Sequence, residues 1–177
     1  CLVVRTIIIA QPDSFTVNSV IPQNNPPYNI SCFGLTDGAL NLSVNGANPP
    51  YNFIWSNGAV TQNLLNIPAS TYTVNITDNK GCTSIRSYVL TQPPLLVADA
   101  GSDLVICGQT SVQLLADTPS TGIGFWQVVS SDGNIVFTDA SSPSSEITGM
   151  GVGDNILQWI ISDGICSDTD QVVITEA

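Results

Sequence analysis

The sequence predicts an all-β protein made of tandem antiparallel β-sandwich modules, on three observations. Of the 14 acidic residues 12 are Asp, and with 14 Gly, 11 Pro and abundant Asn, Ser and Thr the vocabulary is that of turns and strands, not helices. Short segments alternating apolar and polar residues recur at close intervals. Asn-Gly and Asp-Gly pairs, which reach the positive φ of tight turns, stand between them. The same composition excludes whole classes of function. The 177 residues carry a net charge of −11, with Arg5, Lys80 and Arg86 as the only basic side chains, so no basic stripe exists for a nucleic-acid backbone or an anionic membrane. The absence of His removes the commonest general base and metal ligand. The longest apolar runs are four residues, Ile7–Ala10 and Leu95–Ala98, against the ~20 needed to span a bilayer, so no membrane insertion is expected.

The first element is a strand over residues 1–12. Shifted by 81 residues, Cys1-Leu-Val-Val-Arg5 through Gln11-Pro12 falls on Cys82-Thr-Ser-Ile-Arg86 through Gln92-Pro93, matching Cys, Arg, Gln and Pro around an apolar strand. Residues 1–12 therefore read as the closing strand of an upstream repeat, and Cys1 as unpaired within this segment, its partner lying upstream. The five Cys show no CxxC spacing, which favours disulfides in an oxidising compartment over zinc.

Residues 13–93 read as one sandwich. Leu40, Leu42 and Val44 alternate with Asn41, Ser43 and Asn45; Tyr51, Phe53 and Trp55 with Asn52, Ile54 and Ser56; Tyr72, Val74 and Ile76 with Thr73, Asn75 and Thr77. Asp37-Gly38, Asn45-Gly46, Asn57-Gly58 and Asp78-Asn-Lys-Gly81 stand at the expected hairpins. Cys32 precedes the first of these strands and Cys82 opens the last, so a bridge between them is expected to staple the module.

The punctuation of this module carries a resemblance. Cys32-Phe-Gly-Leu-Thr-Asp-Gly38, Asn48-Pro-Pro-Tyr51, Trp55-Ser-Asn-Gly58, Thr71-Tyr-Thr-Val74, Thr77-Asp-Asn-Lys-Gly-Cys82 and Gln92-Pro93 resemble the SprB-type repeat of large surface adhesins in gliding Bacteroidota and related proteins exported by the type IX secretion system. The chain departs from that pattern at Ala47 and Ser70, where the repeat usually has Gly.

Residues 94–177 read as a second sandwich. The order is Asp99-Ala-Gly-Ser-Asp103, Ile106-Cys-Gly108, strands at 112–116 and 125–129, a hairpin at Asp132-Gly-Asn134, Gly151–Gly153, a strand at 155–162, Asp163-Gly164, Cys166 and a final strand at 171–175. Trp126 and Trp159 sit inside strand runs and are expected to fill the core. The module resembles the immunoglobulin-like, PKD-type domains that accompany SprB-type repeats, so the fold implied is tandem immunoglobulin-like sandwiches. Cys107 is expected to pair with Cys166, because a bridge crossing the module boundary would join units that fold independently.

Candidates for chemistry are few. Asp37, Asp78, Asp99 with Asp103, and Asp163 with Asp168 and Asp170 are the only groups of hard ligands, but no Asp-x-Asp-x-Asp-Gly ladder arranges six oxygens for calcium, and solvated turn acids are the default. No catalytic residue, cofactor or metal is expected. Tyr51, Trp55 or Tyr88 would be the stacking platforms of a carbohydrate-binding accessory module, yet alternation turns Tyr51 and Trp55 inward. The Asn-x-Ser/Thr matches at Asn29, Asn41 and Asn75 carry little weight. The expected function is that of a non-enzymatic, structural or adhesive repeat segment of a large extracellular cell-surface adhesin or filament. Its partners are neighbouring repeats or other copies, with a surface polysaccharide as a further candidate. The alternative is a fibre subunit that lends strand 1–12 to a neighbour.

Overall fold

A computed structural model describes residues 15–177, which form two compact units divided between Gln92 and Pro93. Every regular element among the described residues is a β-strand. The expected strand over residues 1–12 and the unpaired Cys1 lie outside the described residues.

The first unit has strands β1 (Phe15–Val20), β2 (Gly38–Gly46), β3 (Asn52–Trp55), β4 (Leu64–Ile67), β5 (Ser70–Thr77) and β6 (Thr83–Leu90). They form two three-stranded antiparallel sheets, β1-β2-β4 and β3-β5-β6. The alternation read from the sequence decides which side chains meet between the sheets: Leu40 and Leu42 of β2 and Leu64 and Ile67 of β4 face Phe53 and Trp55 of β3 and Tyr72, Val74 and Ile76 of β5. Tyr72 is buried, and its hydroxyl donates to the Pro68 carbonyl at 2.9 Å. This link across the β4–β5 corner resembles the tyrosine corner of immunoglobulin-like sandwiches.

In the second unit the strands are β7 (Leu104–Ile106), β8 (Ser111–Gln113), β9 (Ile123–Ser130), β10 (Val136–Phe137), β11 (Glu146–Thr148), β12 (Gly153–Ser162) and β13 (Ser167–Glu176). Sheet β10-β11-β8 packs on sheet β7-β13-β12-β9. All pairings are antiparallel except that of β7 with the end of β13. Trp126 and Trp159 lie side by side in the core, ring centroids 5.1 Å apart. Both units are therefore immunoglobulin-like antiparallel sandwiches.

The turns differ from their sequence reading. Asp78–Gly81 and Asp163–Gly164 close true hairpins, β5–β6 and β12–β13. Asn45-Gly46, Asn57-Gly58 and Asp132-Gly-Asn134 instead carry the chain from one sheet to the other, because β2 and β3, β3 and β4, and β9 and β10 are not paired. A positive-φ pair permits a sharp reversal, but whether the chain re-pairs or crosses depends on where the next apolar face can be buried. Gly38 is no turn glycine either: a Cβ there would meet Ile30, the Ile67 carbonyl and Leu90 at 2.6–2.7 Å, so the residue serves close packing.

One departure from the repeat pattern has a structural consequence. Ala47 takes a φ of +52°, the left-handed region where a Cβ costs roughly 1–2 kcal/mol. Ala47→Gly is expected to raise stability by about 0.5–1 kcal/mol, the relief of strain being partly offset by the freer unfolded chain. Urea denaturation of the two variants checks this. Ser70 lies at the start of β5 and is not among the positive-φ residues, so no such gain is expected there.

Candidate functional site

Each acid singled out in the sequence accepts a backbone N–H. Asp37 takes that of Ser31, Asp99 that of Gly101, and Asp163 those of Ile165 and Cys166. Asp168 and Asp170 hold the amides of Ala98 and Ala100 at 2.8 Å, and Asp103 that of Val173 at 2.8 Å, so together they lace the segment entering the second sandwich along β13. The acids of that unit are thus separated, Asp168 and Asp170 on β13 and Asp99, Asp103 and Asp163 in the flanking loops, each engaged by its own backbone amides. Among the described residues no three His, Cys, Asp or Glu side chains converge on one point. A hollow of about 250 Å³ lined by Ala100, Leu104, Leu114, Leu115 and Val172 has no titratable side chain.

Asp78 is the most heavily used acid. Its Oδ1 accepts the amides of Lys80 and Cys82 at 2.9 and 2.8 Å, and its Oδ2 the amide and side chain of Asn48, both at 3.2 Å. It therefore ties the Asn48-Pro-Pro-Tyr51 loop to the β5–β6 hairpin. Burial alone would raise its pKa, but the hydrogen bonds donated to the carboxylate outweigh that and hold it below the ordinary 3.8. A folded-state pKa below the unfolded one makes the stabilisation complete above the unfolded value and lost as pH falls through the folded one. Urea midpoints of the first unit between pH 6 and pH 2 are accordingly expected to fall on the acid side, and to fall less steeply in Asp78→Asn, which starts from a lower plateau. Asp37 is held low by the Ser31 hydroxyl and amide against the opposing effect of burial.

The aromatic candidates are packing residues. Trp55 is buried and donates its indole N–H to the Thr61 carbonyl at 2.7 Å. Tyr88 lies half-buried beside it, ring centroids 6.3 Å apart. Tyr51 is also half-buried, against Phe15, with its hydroxyl on the Gly46 carbonyl. None of these three rings stands free as a flat platform for a sugar. Asn29, at one of the three glycosylation-type matches, uses its side chain to hold Pro22 and Thr91.

The expected cysteine pairs are not formed. Cys32 and Cys166 are each in a disulfide, whereas Cys82 and Cys107 carry free thiols. The reason is which end of a strand each occupies. The Asn29 and Ile30 amides bind the Thr91 carbonyl, and the Gly34 amide binds Gln92, so Cys32 sits at the exit of β6. Cys82 sits at its entry, and the eight residues of β6 separate them by roughly 27 Å, whereas a disulfide tolerates a Cα separation of ~7 Å. Likewise Cys107 follows Ile106, which lies beside Glu176 at the far end of β13, while Cys166 precedes its first residue. Ten residues of strand, roughly 34 Å, lie between. Alkylation of the native protein is expected to modify Cys107, which is exposed, faster than half-buried Cys82, and to leave Cys32 and Cys166 untouched until reduction; peptide mass spectrometry reads all four.

The segment from the loop before Cys32 to the turn after Trp55 thus has a defined structural role at each motif position. Residues 24–60 match the SprB repeat. Within the SprB repeat match lie the core residues Ile30, Leu40, Leu42, Phe53 and Trp55, the closely packed Gly38, and Asn48 with its bond to Asp78. The Tyr72 corner and the Asp78–Cys82 hairpin lie beyond the matched stretch. No curated protein matches the chain. Among solved structures it is similar to the N-terminal eight immunoglobulin domains of Down Syndrome Cell Adhesion Molecule (11% identity, 94% of this chain, 25% of that one, TM-score 0.45). It is also similar to a protocadherin gammaB7 cis-dimer structure (14% identity, 94% and 51%, TM-score 0.43) and an I-band fragment of titin (11% identity, 95% and 66%, TM-score 0.42). The chain spans a quarter of the length of the first of these. No helix among the described residues is long and apolar enough to cross a membrane. The SprB repeat match lies wholly within the first of the two sandwiches.

The loop-organising roles of Asn155 and Asn48 were not legible in the sequence. Only Asn48 had a signal, the Asn-Pro-Pro-Tyr motif around it.

Proposed function

We propose that this chain is a non-enzymatic spacer and display segment of a long extracellular surface protein of the gliding-motility, type IX-secreted class, its modules serving to extend and present neighbouring repeats. The observation that carries this reading is the use of all seven candidate acids as acceptors for backbone amides, which turns the groups most able to do chemistry into parts of the scaffold. The SprB repeat at 24–60 supports the surface assignment. The net charge of −11 keeps extended neighbouring chains apart, and three basic residues offer few sites to trypsin-like proteases. Antibody raised against the chain should decorate intact source cells without permeabilisation, and a hydrolysis screen over polysaccharides and esters should stay at background. Labelling confined to the cell interior overturns the surface reading; turnover abolished by substituting a single Asp overturns the non-enzymatic one.

A further inference from the structure

We propose that the outer face of the four-stranded sheet β7-β13-β12-β9 is a self-docking surface, made to receive the same face of a second copy of this chain. A sheet with one solvated face alternates apolar and polar residues, whereas strands covered on both faces read as continuous apolar runs. β12 approaches the second kind from Ile156 to Ile161, a run interrupted only by Gln158. Leu157, Trp159 and Ile161 enter the core, and the intervening outward positions are Ile156, Gln158 and Ile160, all half-buried. The register extends this surface across the neighbouring strands. Phe125 and Thr169 flank Ile160, Gln127 and Gln171 flank Gln158, and Val173 lies beside Ile156. Ile123, beyond Phe125, is 72% exposed and Phe125 39%. The corresponding face of β3-β5-β6 in the first unit shows the ordinary pattern: Ile54, Ile85 and Val89 stand among Thr71, Thr73, Asn75, Thr77 and Ser87.

Charge selects the occupant. The three rows from Ile156 to Ile160 carry no ionised side chain, on a chain whose net charge is −11; the first carboxylate on this face, Asp154, stands in the next row, where it accepts from the Thr175 hydroxyl, two rows away from the central glutamines. They are therefore a place where two copies can approach without setting carboxylate against carboxylate, whereas a basic partner would gain nothing there and would be drawn to the acids elsewhere. The central row of three glutamines is self-complementary, since each amide both donates and accepts, and a two-fold axis through it sets amide on amide and Phe125 against apolar neighbours. Size fixes the strength. Three strands at ~4.8 Å by about seven residues at ~3.4 Å come to roughly 350 Å² of plan area, well short of the ~800 Å² per partner of a standard interface, so the contact is weak and reversible. The inference does not depend on the spacer reading: the face pairs equally in a stand-alone subunit.

Sedimentation velocity of the intact chain from ~10 μM to ~1 mM tests this, with Cys82 and Cys107 alkylated first so that an intermolecular disulfide cannot mimic association. The weight-average coefficient is expected to rise with concentration, and more so in sulfate, which strengthens apolar burial. Ile160→Lys and Phe125→Lys should hold the chain monomeric throughout, and Ile160→Thr, which keeps a β-branched side chain in the strand, should weaken association at least tenfold. Ile85→Lys in the first unit should leave it unchanged. A wild-type chain monomeric at ~1 mM overturns the proposal, as does association that survives Ile160→Thr or is abolished by Ile85→Lys. So does retention on an immobilised polysaccharide that is lost in Ile160→Thr without any self-association, which would make the face a glycan site.

Discussion

Trp159→Ala is expected to destabilise the second sandwich by about 4 kcal/mol. The indole is completely buried, packs tilted at 47° against Trp126, and lies against Gly124, where a Cβ would come within 2.1 Å of its Cζ2. Removing it leaves a cavity bounded by β9, β12 and β13, rigidly paired strands that cannot close around it. Its indole nitrogen has no hydrogen-bond partner, so Trp159→Phe forfeits only volume and is expected to cost about 1–2 kcal/mol. Gly124→Ala should cost about 2 kcal/mol in the wild type by pushing on the ring, and much less in the Trp159→Ala background, because the two residues share one space. Urea denaturation followed by tryptophan fluorescence in a Trp55→Phe background, where every remaining indole belongs to the second unit, reads that unit in all four members of the cycle. Additive effects would show that the ring and Gly124 do not share that space.

The contrast between Trp159 and the cysteines shows where a linear pattern stops being informative. Period 2 assigns a side chain to a face, and faces were legible throughout: Leu40 and Leu42, Phe53 and Trp55, Tyr72, Val74 and Ile76 all point into the first core as their alternation predicts. Period 2 says nothing of which end of a strand lies near which end of another. Cys32 and Cys82 stand before the first and last strands of the β2–β6 series, yet at opposite ends of β6, and the same holds for Cys107 and Cys166 along β13. The crossing turns at Asn45-Gly46 and Asn57-Gly58 fail for a related reason, since a reversal of direction is local while the choice of sheet is not. β10 and β11, two and three residues long, are too short to show any period.

The acids were legible as structural but not in their mechanism. An Asp beside Gly or Ser reads as a solvated turn residue, and Asp99 and Asp163 do bind amides two residues on, as such turns require. Asp103, Asp168 and Asp170 act instead across about 70 residues of sequence, holding amides that no local pattern connects to them. The outer face of β12 was visible in the sequence as an apolar run interrupted only by Gln158, but alternation alone could not say that both its faces were built for burial.

Asn155 carries the other large expected effect. It is completely buried at the start of β12, where its Oδ1 accepts from the Gly151 amide at 2.9 Å and the Ser131 hydroxyl. Its Nδ2 donates to the carbonyls of Gly151, Gly153 and Ile174 at 2.9–3.2 Å. One side chain thus fastens the Gly149–Gly153 loop to β13, and Met150 is the loop's one side chain packed on the core. Asn155→Ala leaves a buried amide and several carbonyls unpaired and is expected to cost about 3 kcal/mol, with faster hydrogen exchange at Gly151 and its neighbours before global unfolding. Asn155→Asp separates the hydrogen bonds from the packing, because it keeps the shape and the two accepted bonds but turns the donor edge into an oxygen facing three carbonyls. Burial and those carbonyls disfavour the charged form, so the folded-state pKa of the new carboxyl lies above its unfolded value. Its stability should accordingly be greatest below the unfolded pKa and fall as pH rises through the folded one, opposite in sign to the contribution of Asp78. Urea midpoints at pH 3 and pH 7 decide it: a variant no less stable at pH 7 than at pH 3, relative to wild type, would mean that the carbonyls of Gly151, Gly153 and Ile174 do not depend on this donor.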